Sequence, residues 1–324
     1  MIARSVAGPA PSRTSREHWI EGTSGPRWQP RLLLREQVCG RTGQRGHVLY
    51  VHGATFPSAS SVLAKFGGKS WADALNDAGF GVFALDFAGY GGSERYPGMS
   101  LPADQSPPLG RASEAAEQIA RAVALIRRRI GAEPLSIVAH SWGPIPAAIF
   151  ATAYPESLCR LVLFGPILRR CVTQPKVSDA WSLVTIAAQH QRFTKDVPPG
   201  HGPVLEEPDF PDWAEAYLRS DPESLLRTPP AVQVPGGPSA DVAAAWSGEL
   251  PYDPAALRTA VMLVRGEWDS SSTAADVDWF AAALPPSLER KVVTIARATH
   301  LMHLERGRHE LYETVNAFLH EANA

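Results

Sequence analysis

Ser141 stands at the centre of Ala139-His140-Ser141-Trp142-Gly143, directly behind the apolar run Leu135-Ser136-Ile137-Val138. Chemistry that needs a serine hydroxyl lifted above a sheet needs this arrangement. A buried strand runs into a turn so tight that only small residues fit two positions either side of the serine. Glycine at both flanks is the usual form, and Ala139 still meets the steric requirement. A serine becomes a nucleophile only when a base takes its proton and a carboxylate orients the base. Two downstream segments offer these groups. Val261 to Val264 reads as a strand running on into Gly266-Glu267-Trp268-Asp269, and Val292-Val293-Thr294-Ile295 as a strand leading to Ala298-Thr299-His300. The acid is Asp269 or its neighbour Glu267; the base is His300 or His303, three residues on. Helix or turn caps are the purely structural reading of Ser141 and of Asp269, which precedes Ser270-Ser271-Ser272-Thr273.

Such groups must come from the ends of several strands, and the chain supplies alternating strands and helices, as a mostly parallel sheet demands. Leu32–Val38 reads as an early antiparallel edge strand, His47–His52 as a core strand, and Phe80–Phe87 as an apolar strand buried on both faces. Trp71–Ala78 reads as a helix stopped by Gly79. The clearest helix is Ala112–Ile130, where Ala115, Ile119, Ala122, Val123, Ile126 and Ile130 recur at helical steps and Gly131 follows. The serine turn leads into a helix near Gly143, with Pro144 and Pro146 in its first turn, where a missing N–H matters little. The strand Leu161–Phe164 comes next. Ala274–Leu284 and Gly307–Ala322 give the last two helices.

The alternation breaks between about Leu168 and Arg258. Pro198-Pro199-Gly200, Pro229-Pro230 and Pro235-Gly236-Gly237-Pro238 interrupt it, while Ala180–Gln191 and Trp213–Leu218 look helical. A structureless loop of this length inside a compact domain is improbable. Residues 168–258 are therefore expected to form a mainly helical cap over the serine, inserted after the strand that follows the nucleophile helix. Residues 31–167 and 259–324 are expected to form the α/β core. The first 30 residues, rich in Pro, Gly, Ser and Arg, are expected to be partly flexible.

With these pieces in order, the chain resembles an α/β-hydrolase from about Arg31 to Leu319. Four signatures carry the resemblance: His52-Gly53-Ala54-Thr55, Asp86-Phe87-Ala88-Gly89-Tyr90-Gly91-Gly92-Ser93, the serine turn, and the Asp and His segments. The family implies the triad order Ser141, Asp269, His300. Its Gly-x-x-Asp spacing favours Asp269 over Glu267, and its position after the last strand favours His300 over His303. His303 is then expected to face elsewhere, pairing with Glu305 or lining the pocket. Some relatives carry the acid one strand earlier, but Leu163-Phe164-Gly165-Pro166-Ile167 holds no carboxylate. The backbone N–H groups of Trp142 and, by family position, Ala54 are expected to form the oxyanion hole, with Thr55 as neighbour or substitute. His52 and His140 are expected to brace and pack. The Asp86–Ser93 turn is expected to tie loops together, and the Trp142 side chain to wall the acyl pocket.

The family implies hydrolysis of a carboxylic ester, thioester or lactone through an acyl-enzyme. The same triad also serves C–C bond hydrolysis, acyl transfer and cofactor-free perhydrolysis, and the fold by itself serves non-catalytic binding. Relatives that open epoxides or haloalkanes carry aspartate where Ser141 stands.

Composition sets the remaining bounds. A chain of 324 residues accommodates one large α/β domain with an insertion, and a net charge of −2 gives no reason to expect nucleic acid or an anionic membrane as partner. No apolar run approaches a membrane helix in length, and the N-terminus lacks the apolar stretch of a signal peptide. A cytoplasmic location is the default expectation. Cys39, Cys159 and Cys171 have no metal-like spacing and are read as reduced thiols, Cys159 as a small buried residue. No metal site, phosphate loop or dinucleotide fingerprint is present, so no cofactor is expected. The expected partner is a small, largely apolar acyl substrate. Trp181, Phe193, Phe210, Trp213, Tyr217 and Trp246 are available to line its pocket, although at least half are expected to form the cap's own core. Arg192 or His190 could hold an anionic end, with solvated surface as the preferred reading.

Overall fold

The computed structural model describes residues 14–25, 28–38, 45–173, 177 and 179–321. The chain enters through two antiparallel strands, β1 (Thr14–Ile20) and β2 (Leu32–Val38). Then β3 (Gly46–Val51), α1 (Trp71–Asp77), β4 (Phe80–Leu85), α2 (Ala112–Ile130), β5 (Leu135–His140), α3 (Pro144–Ala153) and β6 (Leu158–Phe164) alternate. An insertion follows: β7 (Trp181–Thr185), α4 (Ile186–Thr194), α5 (Phe210–Arg219), β8 (Ala231–Pro235) and α6 (Gly237–Trp246). The alternation resumes with β9 (Ala260–Gly266), α7 (Ala274–Ala283), β10 (Arg290–Ile295) and α8 (Arg308–His320).

Eight strands form one sheet in the order β1-β2-β4-β3-β5-β6-β9-β10, parallel from β4 onwards. The expected mostly parallel sheet flanked by helices is therefore present. Its central strands β4, β3, β5, β6 and β9 are mostly buried and apolar on both faces because both are covered. In β3, Leu49 and Val51 pack in one core with Ile119 and Val123 of α2 and Ile145 of α3. Val48 and Tyr50 pack on the other side with Trp71 and Leu75 of α1 and Val315 and Phe318 of α8. Strand direction through the order places the chain's reversal between β3 and β5. Their carboxyl ends open the crevice where α/β sheets place ligands.

Local signals set the element ends. α1 begins in a capping box, with Ser70 accepting from the Asp73 N–H and Asp73 returning the bond. α2 buries Ala115, Ile119, Ala122, Val123 and Ile126 and stops at Gly131, whose φ of 99° suits glycine.

Three expectations need correction. Strand β2 is not an edge strand, because β1 covers it. Residues 14–20 of the N-terminal segment are thus ordered, with Trp19 paired to Leu33 and the Arg31 guanidinium 3.9 Å above the Trp19 ring. Residues 1–13, 26 and 27 of the stretch expected to be partly flexible lie outside the described residues. Ala180–Gln191 is not one helix. Trp181-Ser182-Leu183-Val184-Thr185 is strand β7, antiparallel to Ala231-Val232-Gln233-Val234-Pro235, because aromatic and β-branched side chains favour the pleated pairing. Helix α4 starts only after the Thr185 cap. Cys159 is half-buried, with its sulfur 3.1 Å from Ser136 Oγ; Cys159 and exposed Cys171 are both free, and Cys39 lies outside the described residues. No helix among the described residues is long and apolar enough to cross a membrane.

Candidate active site

Strand β5 ends at His140, and the chain turns at once into α3. Ser141 sits at that turn with φ of 61°, one of two non-glycine residues at positive φ among those described. A left-handed serine is strained, and the surroundings hold it. The Ser141 N–H donates to Phe164 O at 3.1 Å, and its carbonyl accepts from the Ile167 N–H at 2.9 Å. The small residues are required by contact. A Cβ on Gly143 would lie 2.6 Å from His52 O, and one on Gly53 would lie 3.0 Å from Ser141 Cβ. Gly143, not Ser141, is the residue that begins α3, so Ser141 is not spent as a cap.

The Ser141 hydroxyl lies 2.8 Å from His300 Nε2, and His300 Nδ1 lies 2.9 Å from Asp269 Oδ2. Three strand ends, those of β5, β9 and β10, thus deliver one continuous chain of hydrogen bonds. With Nδ1 donating to the carboxylate, Nε2 is left to accept the serine O–H. Asp269 is buried, while Ser141 and His300 remain partly open. Both Asp269 oxygens reach His300 Nδ1, Oδ1 at 3.1 Å and Oδ2 at 2.9 Å. Oδ1 accepts from the Ser271 and Ser272 N–H groups at 2.8 and 3.0 Å, which is the cap-like role, while Oδ2 makes the shorter bond to His300. Glu267 is turned away and accepts from the Arg297 N–H at 2.8 Å.

Three further histidines near the serine make bracing and packing contacts. His52 Nδ1 donates to Gly53 O at 2.7 Å and Nε2 accepts from the Phe87 N–H at 3.1 Å, bracing two loops. His140 donates from Nε2 to His300 O at 3.0 Å and stacks on Phe164. Burial, with His303 and His300 nearby, holds it neutral, well below the usual imidazole range. His303 bonds Ser61 Oγ at 2.9 Å instead of Glu305, and burial pushes it down to about 3. Glu305 accepts from Thr299 N–H at 3.1 Å, and burial raises its carboxyl to about 7.

Ala54 follows β3 and borders the recess beside Ser141. Among the described residues, neither its N–H nor that of Trp142 makes a hydrogen bond. Two contacts absent from the sequence reading support this corner. Tyr90, within the glycine-rich turn, donates to Ala54 O at 2.6 Å. Gly165, after β6, has φ of 52°, and a Cβ there would lie 3.2 Å from His300 Nδ1 and 3.3 Å from Asp269 Oδ2. A glycine ending a strand was the legible signal for Gly165; nothing in the sequence connected Tyr90 to Ala54. Asp86 ties loops as expected, accepting from Ser58 N–H at 3.0 Å and Gly92 N–H at 3.1 Å and pairing with Arg35.

The Trp142 side chain does not wall the pocket. Its indole is buried and donates to Asp241 Oδ2 at 3.0 Å. Asp241, on α6, also accepts from the Ala112 N–H at 2.7 Å and pairs with Arg111, so it joins the insertion to the serine turn and α2. The cavity over Ser141 is about 320 Å³ and is lined by Ala54, Thr55, Ile167, Arg192, Lys195, Ser239, Val242, Trp246, Ser271, His300 and Leu301. Larger cavities beside Trp28, about 410 Å³, and Trp181, about 530 Å³, bring no serine to a histidine. Of the six aromatic residues expected near the pocket, only Trp246 lines it. Phe193, Phe210, Trp213 and Tyr217 pack on one another, with the Trp213 and Tyr217 rings stacked at 5.4 Å.

Among solved structures, the chain is similar to a thermophilic esterase from Thermogutta terrifontis, with 19% identity, TM-score 0.61, and 95% of this chain and 100% of that one covered. It is also similar to the thioesterase domain of the curacin biosynthetic pathway, with 15% identity, TM-score 0.58, and 94% and 99% covered. A third similar structure is the 2-hydroxy-6-oxo-6-phenylhexa-2,4-dienoate hydrolase of Rhodococcus sp. strain RHA1, with 17% identity, TM-score 0.58, and 95% and 99% covered. No curated protein matches the sequence. The sequence model of the alpha/beta hydrolase family matches residues 48–314, most of the chain, and the chain belongs to that family.

Proposed function

We propose that the protein hydrolyses a carboxylic ester, thioester or lactone through an acyl-enzyme on Ser141. The observation that carries this reading is the hydrogen-bond chain from Ser141 through His300 to Asp269, at 2.8 and 2.9 Å. His300 takes the serine proton as Oγ attacks the carbonyl carbon. The oxygen, now negative, is held by the N–H groups of Ala54 and Trp142. Such preorganised donors are each worth on the order of 3 kcal/mol at the transition state. The tetrahedral intermediate collapses, and His300 returns the proton to the leaving group. Water then attacks the acyl-enzyme by the same route, and the acid departs. Asp269 keeps the imidazole in the right tautomer and stabilises its charged form.

Residues 168–258 act as the cap in this reading, since Arg192, Ser239, Val242 and Trp246 from that stretch line the cavity over Ser141. A fluorophosphonate tests the nucleophile directly. One equivalent should add to Ser141 by intact mass and peptide mapping, and labelling should be lost in Ser141→Ala. Labelling at another residue, or none in folded protein, contradicts the reading and favours a binding protein on this fold.

A further inference from the structure

The cavity over Ser141 carries two cations and no carboxylate. Arg192, in the last turn of α4, lines both the main cavity and the narrow recess that Ala54, Ser141 and His300 share, and Lys195 lines the main cavity. No Asp or Glu lines either space. Among the described residues, neither cation has an ion pair or a side-chain hydrogen bond. Other arginines joining the insertion to the core are engaged: Arg170 with Asp276, Arg227 with Asp221, and Arg308 with Glu206. Arg192 and Lys195 are both exposed, and the protein atoms around Arg192 lower its pKa by desolvation.

Both cations are exposed and, among the described residues, lack a protein counter-charge, so an anionic ligand entering the cavity meets two unpaired positive charges beside the nucleophile. Its next neighbour, Phe193, is buried in the aromatic cluster, which fixes the helix end and leaves Arg192 presented to the nucleophile side. The planar guanidinium suits a two-point grip on a carboxylate.

We propose that Arg192, assisted by Lys195, is an anion subsite, and that the carbonyl compound cleaved at Ser141 carries a carboxylate. This rests on the hydrolase reading of Ser141. It replaces the largely apolar substrate expected from the sequence, because most aromatic residues offered for that lining are used in packing.

Matched ester pairs test it. On the acyl side, p-nitrophenyl hydrogen adipate is compared with p-nitrophenyl hexanoate. On the leaving-group side, 4-carboxyphenyl butyrate is compared with 4-carbamoylphenyl butyrate. Wild type should favour the anionic member of at least one pair by roughly ten- to hundredfold in kcat/KM, the range of a charged hydrogen bond. The ratio should collapse towards one in Arg192→Gln, recover in part in Arg192→Lys, and shrink with added salt. A wild-type ratio near one on both pairs overturns the subsite, as does a ratio that survives Arg192→Gln while both rates fall together.

Binding separates failure of the subsite from failure of the hydrolase reading. Adipate should bind Ser141→Ala protein in calorimetry and fail to bind the Ser141→Ala/Arg192→Gln protein. That result supports the subsite even where no ester turns over. Ester turnover without adipate binding leaves the hydrolase reading intact and overturns the subsite.

Discussion

Ser141 and His300 are each the first suitable side chain after a strand, whereas Glu267 precedes Asp269 and only the family's Gly-x-x-Asp spacing singled Asp269 out. A strand end fixes where a side chain starts, and strand order fixes which ends are neighbours. The choice between neighbours was harder. His303 and Glu305 looked like a pair, but helical spacing in a turn does not say which wall each side chain meets. His303 reaches Ser61 and Glu305 reaches Thr299. Asp269 shows that a turn cap and a histidine partner need not compete, since Oδ1 accepts two backbone N–H groups while both oxygens reach His300. Replacing Asp269 with Asn keeps its shape and removes its charge. Turnover in Asp269→Asn is expected to fall about 10³- to 10⁴-fold with a native circular dichroism spectrum, because the imidazole loses its orienting anion and its correct tautomer. A loss under about tenfold would assign the acid to another group.

Elements position these residues through contacts that sequence spacing does not encode. The core strands and α2 were readable from unbroken apolar runs and from helical periodicity. Strand β7 was missed because five residues of strand merge into a nine-residue helix, and a window spanning both averages their periods. The loop after β3 depends on a neighbour 36 positions away, the Tyr90 hydroxyl on Ala54 O. Removing that hydroxyl in Tyr90→Phe is expected to lower kcat about three- to tenfold with little change in KM. A neutral hydrogen bond is worth about 1 kcal/mol, and Ala54 is argued to act only on the developing oxyanion. Steady-state kinetics check it; an unchanged kcat would mean that the loop is held without Tyr90.

At the scale of the whole molecule, the reversal of strand order between β3 and β5 explains why Ala54 and Ser141 meet at one crevice. The insertion was legible as an interruption, and its aromatic residues mostly form its own core as expected, but which of them reaches the cavity was not readable. Composition reports what is available to a cavity, and packing decides what reaches it. Stability against pH is also a whole-molecule property. Folded His303 titrates at about 3 because burial disfavours its charged form, against 6.5 unfolded. The unfolded chain therefore binds the proton first as pH falls. The stability His303 contributes is full above pH 6.5 and is lost down to about pH 3, on the order of 4 kcal/mol. Glu305, raised to about 7 from 4.5, has the opposite slope and loses stability as pH rises between those values. Chemical denaturation of His303→Gln beside wild type isolates the histidine. The variant should lose less stability from pH 7 to pH 4, and parallel curves would contradict the assignment.

The central claim is that Ser141 is the nucleophile of an ester-type hydrolysis. Initial rates on p-nitrophenyl esters of increasing acyl length, wild type beside Ser141→Ala, test it most directly. The account predicts turnover by wild type at some chain length and a loss of about 10⁴-fold or more in the variant, because without the nucleophile only binding and the oxyanion donors remain. Turnover that survives in Ser141→Ala, or its absence in folded wild type across the neutral and carboxylate-bearing esters, would contradict it.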